Sequence, residues 1–185
     1  MLYINDRLDE LCIEDELHNL SPSRLKHTLE IRHEPTKRQS IAAWLLLRKA
    51  LHEEYGINSV PEFSFGEHGK PFFSTLPHVH FNMSHCKMAA VCVVDEEEIG
   101  VDVECIRNYE KNLAEYVLND EELELCMKSG NPAKQFIRFW TMKEATLKLT
   151  GEGINDDIKH AIRKDIDYWI EEHEGYTICI AKYAK

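Results

Sequence analysis

Apolar positions along this chain switch between two rhythms. From Pro35 to about Tyr55 they recur at the helical period. Ile41, Trp44, Leu45 and Leu51 share one side with Arg48, Pro35 suits a first turn, and Gly56 suits a stop. "MAAVCVV" (88–94) is continuous and partly β-branched, which predicts a strand buried on both faces. After the turn "DEEE", "IGVDVECI" alternates: Ile99, Val101, Val103 and Cys105 fall on one face, Asp102 and Glu104 on the other. These two strands can pair as a hairpin. Residues 110–128 read as helical. Asn131 caps a further helix with Pro132 at its first position, and this helix runs to Gly151. "LYI" near the start is a short strand candidate, and "FSFG", the turn "EHGKPF" and "VHFNMSH" precede the buried strand. The tail predicts two strands, "IDYWI" and "YTICIAKYA", around "EEHEG". Strand and helix followed by strands occur twice, with a divide near residue 98. The prediction is an α+β protein of two similar-sized halves, 1–98 and 99–185.

Composition narrows the setting. A chain of 185 residues, 43% hydrophobic and 30% charged, is ordinary for a globular protein with a real core. The longest apolar runs are too short to cross a bilayer, and the opening "MLYINDRLDE" is charged by its sixth residue, unlike a secretory signal. None of the six cysteines forms a C-x-x-C pair. Buried free thiols in a reducing, cytoplasmic compartment are expected. A formal charge of −11 argues against nucleic-acid binding. That charge is uneven, because residues 21–50 hold seven Lys or Arg against Glu30 and Glu34, a local balance of +5. The segment is either a solvated face or a site for a phosphorylated ligand.

The candidate chemistry begins with a misplaced carboxylate. In "FWTMKEATLKLTGEG" (139–153), Glu144 falls in the helical sector of Phe136, Ala133, Ile137, Trp140 and Leu147. A carboxylate buried without a partner costs several kcal/mol, so Glu144 must be neutral, paired or cation-bound. Lys148, one turn on, offers a surface ion pair. Asp102 and Glu104 project from one face of a strand, as a wet sheet face also would. Together the three carboxylates would suit Mg²⁺. "NMSHC" places Ser84 and His85 just before the buried strand, and "GKP" displays Lys70 in a turn. No G-x-S-x-G elbow or P-loop occurs. These residues by themselves reach a phosphate-ligand enzyme with a candidate Mg²⁺ site.

"GKP…FNMSH", "IGVDVE" and "FWTMKEATLKLTGEG", in that order and spacing, closely resemble the 4′-phosphopantetheinyl transferases of the larger, pseudo-dimeric, surfactin-synthetase-activating type. The likeness runs from about Ser21 to Ile154 and includes the basic segments "SPSRLK" and "KRQSIAAWLLLR". It implies two halves related by a pseudo-twofold axis, a coenzyme A cleft between them, and transfer of phosphopantetheine to a serine of an acyl or peptidyl carrier protein with release of 3′,5′-ADP. It implies Mg²⁺ on Asp102, Glu104 and Glu144, with Glu144 as base, Lys148 at the departing phosphate and Lys143 on the phosphates. Ser84, His85, Arg24, Lys70 and, more loosely, Arg38 match coenzyme A-binding positions. A monomer acting on coenzyme A and a carrier, with no membrane partner, is expected. His27 stands where a second lysine is common, and Cys86 where a small polar residue is. The segment expected to dock the carrier, "LAEYVLNDEELEL", carries Asp120, Glu121, Glu122 and Glu124, so docking through Tyr116, Val117 and Leu118 is expected instead. The alternatives are a Mg²⁺-dependent phosphohydrolase acting on a nucleotide and a non-catalytic carrier-binding module.

Overall fold

The computed structural model describes residues 1–153 and 157–185; Ile154, at the end of the resembling stretch, lies outside the described residues. The chain opens with β1 (Leu2–Asn5), then α1 (Ile13–Glu16), α2 (Pro22–Glu30) and the long α3 (Glu34–Tyr55). A two-stranded ribbon, β2 (Ser64–Phe65) and β3 (Pro71–Phe72), precedes β4 (His80–His85), β5 (Ala90–Asp95) and β6 (Ile99–Cys105). Three helices follow, α4 (Lys111–Val117), α5 (Asp120–Lys128) and α6 (Pro132–Thr150), before the hairpin of β7 (Ile166–His173) and β8 (Tyr176–Tyr183).

Local chemistry sets the helix ends. Asn131 accepts a bond from the Lys134 amide at 3.0 Å and Pro132 follows it, while Gly151 ends α6 at φ 75°. Gly56 ends α3 in the same left-handed way. The single helix expected over 110–128 is two helices, because Asn119 restarts the chain with a capping box. Its side chain accepts from the Glu122 amide, and the Glu122 carboxylate accepts from the Asn119 amide.

Two antiparallel three-stranded sheets result, ordered β1-β5-β4 and β6-β8-β7. The expected hairpin of the two central strands does not form. Both edges of β5 are taken, with Cys92 opposite Tyr3 and Met83, and β6 pairs with β8, Asp102 opposite Cys179. The strands stack instead of pairing. Ile99, Val101, Val103 and Ile178 pack on Val91 and Val93 between the sheets. Helix α3 covers the outer face of the first sheet through Ala90, Cys92 and Val94. Helix α6 covers that of the second through Ala145, Leu149, Cys179 and Ala181. The layers therefore run helix, sheet, sheet, helix. At their margin β4 and β6 lie side by side, and Asn82 accepts a bond from the Val101 amide at 3.3 Å. All six cysteines are free. Among the described residues, no helix is long and apolar enough to cross a membrane.

Candidate active site

The even positions of β6 face α6, and the first of them is Gly100. A Cβ there would lie 2.1 Å from the Ala145 carbonyl oxygen and 2.6 Å from the Leu149 nitrogen. Only glycine lets the helix backbone descend onto the strand. The same strand face then presents Asp102 and Glu104 beside the helix residues Glu144 and Lys148. Phe136, Ile137 and Leu147 bury another side of α6 against α4 and α5. The helix is thus buried on two sides, and Glu144 lines the cleft between them.

Asp102, only 3% exposed, is the centre of the group. Its Oδ1 accepts from Lys148 Nζ at 2.6 Å and from Ser84 Oγ at 2.8 Å, and Lys148 also donates to Ser84 Oγ at 2.8 Å. Asp102 Oδ2 and Glu144 Oε1 are buried without a hydrogen-bond partner. Burial, then Asp102 and Glu104, push Glu144 up to about 7 against the pull of Lys148. Burial and Asp102 also raise Glu104. His85 is lowered, first by the protein atoms crowding its ring and then by the charges of Lys148 and Arg24. Glu144 and Glu104 therefore hold a proton more readily than exposed carboxylates do.

A cleft of about 260 Å³ holds Glu144 and Lys148 together with Lys70, Asn82 and Met83. It meets a second cleft of about 480 Å³ at Gly69, Pro71 and Met83, which line both. Arg24 and His27 stand in this second cleft. Arg24 is held over the Trp44 ring and donates to the Ser40 carbonyl at 2.8 Å, so α3 orients it. Lys70 pairs with Glu98 and donates to the Leu149 carbonyl at 2.7 Å. A larger hollow, about 660 Å³, is also lined by Lys70 and holds none of the three carboxylates. Donor chemistry, not size, identifies the site.

Other expected residues lie elsewhere. Lys143 is fully buried and spends its donors on Glu122 at 2.9 Å, the Lys159 carbonyl at 2.8 Å and the Ile158 carbonyl at 3.1 Å. It lines neither cleft. Arg38 pairs with Glu34 at 2.9 Å and lines neither cleft. Of the expected docking residues Tyr116 is 51% exposed, whereas Val117 and Leu118 are buried against Phe136 and Ile137. Sequence reasoning missed Glu122 as the partner of Lys143 and Asn82 as the link between the sheet margins.

Among the described residues, no group of three or more His, Cys, Asp or Glu stands close enough to hold a metal ion in this arrangement. The donor set nevertheless suits a hard cation. It is all oxygen, and two of its buried oxygens lack partners.

Comparison with known proteins gives one concordant result. Residues 98–180 match the model of the 4′-phosphopantetheinyl transferase superfamily. A 4′-phosphopantetheinyl transferase of Bacillus subtilis is 29% identical over 158 residues, covering 81% of this chain and 70% of the relative. The 4′-phosphopantetheinyl transferase Sfp of Bacillus subtilis strain 168 is 25% identical over 187 residues, covering 98% and 84%. The 4′-phosphopantetheinyl transferase gsp of Aneurinibacillus migulanus is 30% identical over 143 residues, covering 76% and 56%.

Proposed function

Because this chain belongs to the 4′-phosphopantetheinyl transferase superfamily, it moves 4′-phosphopantetheine from coenzyme A to carrier proteins, and we propose that the Asp102 cluster performs the transfer. The observation that carries this proposal is the meeting of Asp102, Ser84 and Lys148 beside Glu144, where β4, β6 and α6 converge. Residues 1–98 and 99–185 act as two halves related by a pseudo-twofold axis, with coenzyme A in the cleft between them. Arg24 and Lys70 attract its phosphates, His85 and Ser84 orient them, and His27 lies alongside.

Asp102, Glu104 and Glu144 would hold Mg²⁺. Bound there, the ion would neutralise charge on the diphosphate oxygens. The hydroxyl oxygen of the carrier serine attacks the phosphorus that bears pantetheine, and the bond from that phosphorus to the 3′,5′-ADP oxygen breaks. Glu144 accepts the serine proton. Lys148 neutralises the departing phosphate oxygen. Tyr116 meets the carrier.

The test is incubation of the protein with Mg²⁺, coenzyme A and an apo-carrier. One phosphopantetheine should appear on a carrier serine, with an equal amount of 3′,5′-ADP. Asp102→Ala should abolish both while leaving the thermal transition cooperative. Coenzyme A consumed with the carrier unmodified would point to a phosphohydrolase. Intact coenzyme A and an unmodified carrier would point to a non-catalytic binding module.

A further inference from the structure

Lys148 occupies a position that a substrate-binding lysine need not take. Its ammonium closes a triangle with Asp102 Oδ1 at 2.6 Å and Ser84 Oγ at 2.8 Å, and the serine hydroxyl itself donates to the same carboxylate oxygen. Among the described residues, it is the one cation within ion-pair distance of Asp102, Glu104 or Glu144. We propose that Lys148 is the resident counter-ion of the carboxylate group, excluding a divalent cation from the ligand-free protein until the diphosphate of coenzyme A draws the ammonium away. This rests on the divalent-cation reading given above and adds an order of loading to it.

Charge gives the reason. An aspartate buried this deeply needs a positive partner, and Lys148 supplies one at 2.6 Å. A single ammonium is a poor match for three carboxylates. It leaves Asp102 Oδ2 and Glu144 Oε1 without partners, although both are buried. A divalent ion would use those oxygens, but the ammonium in contact with the same carboxylate repels it and weakens its binding. Lys148 is 29% exposed, has a flexible four-carbon stem and already lines the cleft with Lys70 and Met83. Side-chain rotation alone can carry an ammonium on such a stem several ångströms from its partner. Anionic oxygens arriving in that cleft offer it a new partner, and its departure bares Asp102. Cation and coenzyme A should therefore each tighten the binding of the other, and part of that coupling should pass through Lys148.

Mn²⁺ titrated into the coenzyme A-free protein, with free ion followed by electron paramagnetic resonance, tests this directly. The parent should bind weakly. Lys148→Met should bind roughly tenfold tighter or more, because a full positive charge has left the immediate surroundings of the ion. Lys148→Arg keeps the charge and should stay as weak as the parent. Adding coenzyme A should tighten Mn²⁺ binding more in the parent than in Lys148→Met. Should the Met variant be less stable, the rise in its melting temperature on adding Mn²⁺ should exceed that of the parent. Equal or weaker Mn²⁺ binding by Lys148→Met overturns the counter-ion role while leaving the cation site standing. Absence of Mn²⁺ binding in both proteins even with coenzyme A removes the cation site, and the counter-ion role with it.

Discussion

Glu144 carries the strongest pH signature in the site. Its ordinary value is 4.5, and in the folded protein it rises to about 7 through burial first and then through Asp102 and Glu104. The folded state therefore holds this proton more tightly than the unfolded chain does. Its stabilising contribution is complete below about pH 4.5 and is lost as pH climbs through about 7. Glu144→Gln, neutral throughout, should remove that dependence. In cation-free protein it should be more stable than the parent by on the order of 1–2 kcal/mol near pH 8, after allowance for solvent screening. Transfer activity should fall by roughly a hundredfold or more. Melting curves recorded with a chelator from about pH 5 to pH 8 check this. Parallel curves for the two proteins would contradict the raised pKa. Tyr116 is the other residue with a direct test. If Tyr116 meets the carrier as proposed, Tyr116→Ala should raise KM for the carrier several-fold and leave KM for coenzyme A unchanged. An unchanged carrier KM would move the docking surface elsewhere.

At the scale of elements, what was legible in the sequence is what local chemistry decides. The starts and stops of α3 and α6 could be read because Pro, Asn and Gly act within one turn of themselves. The pairing of β5 and β6 could not, because partners such as β8 lie far along the chain and alternation names a face without naming a neighbour. The same limit explains Lys143. Adjacent helix residues point about 100° apart, so a motif that brings Glu144 to the cleft turns Lys143 away from it. Val117 at the end of α4 and Leu118, the extended residue after it, both turn inward onto α6. Their burial is what leaves Tyr116 outside. Lys143 instead ties α6 to the cap of α5 and to the backbone at Ile158 and Lys159. Lys143→Met strands the buried Glu122 carboxylate and should cost about 3 kcal/mol or more of stability. Replacing Lys143 and Glu122 together by apolar residues should cost clearly less than Lys143→Met alone. Denaturant unfolding of both variants decides it. A double variant at least as unstable as the single one would show that the pair is not a coupled strut.

At the scale of the whole molecule, the site exists because two sheet margins meet. Ser84 comes from the first sheet and Asp102 from the second, and Asn82 bonds the backbone of one margin to the other. Asn82→Ala leaves the buried Val101 amide without its partner, at a cost of about 1–3 kcal/mol. It should also weaken coenzyme A binding several-fold, because Asn82 lines the cleft holding Glu144 and Lys148. Calorimetry of coenzyme A binding, set beside thermal melts, checks both effects, and unaltered affinity would show that the margin link does not shape the cleft.

The pairing of β6 has a consequence for the order in which the molecule can be made. The first sheet is complete once β5 has been synthesised, because β1, β4 and β5 all lie before residue 98. Asp102 and Glu104 follow within ten residues, yet their strand has no sheet partner until β8 emerges, more than seventy residues later. On the ribosome, the first half can close its own sheet while the acidic strand waits unpaired on its surface. Chemistry therefore arrives last. A nascent or truncated chain lacking β8 holds nearly every side chain of the site and none of its architecture, so it should be unable to act on coenzyme A before its carboxylates are locked in register.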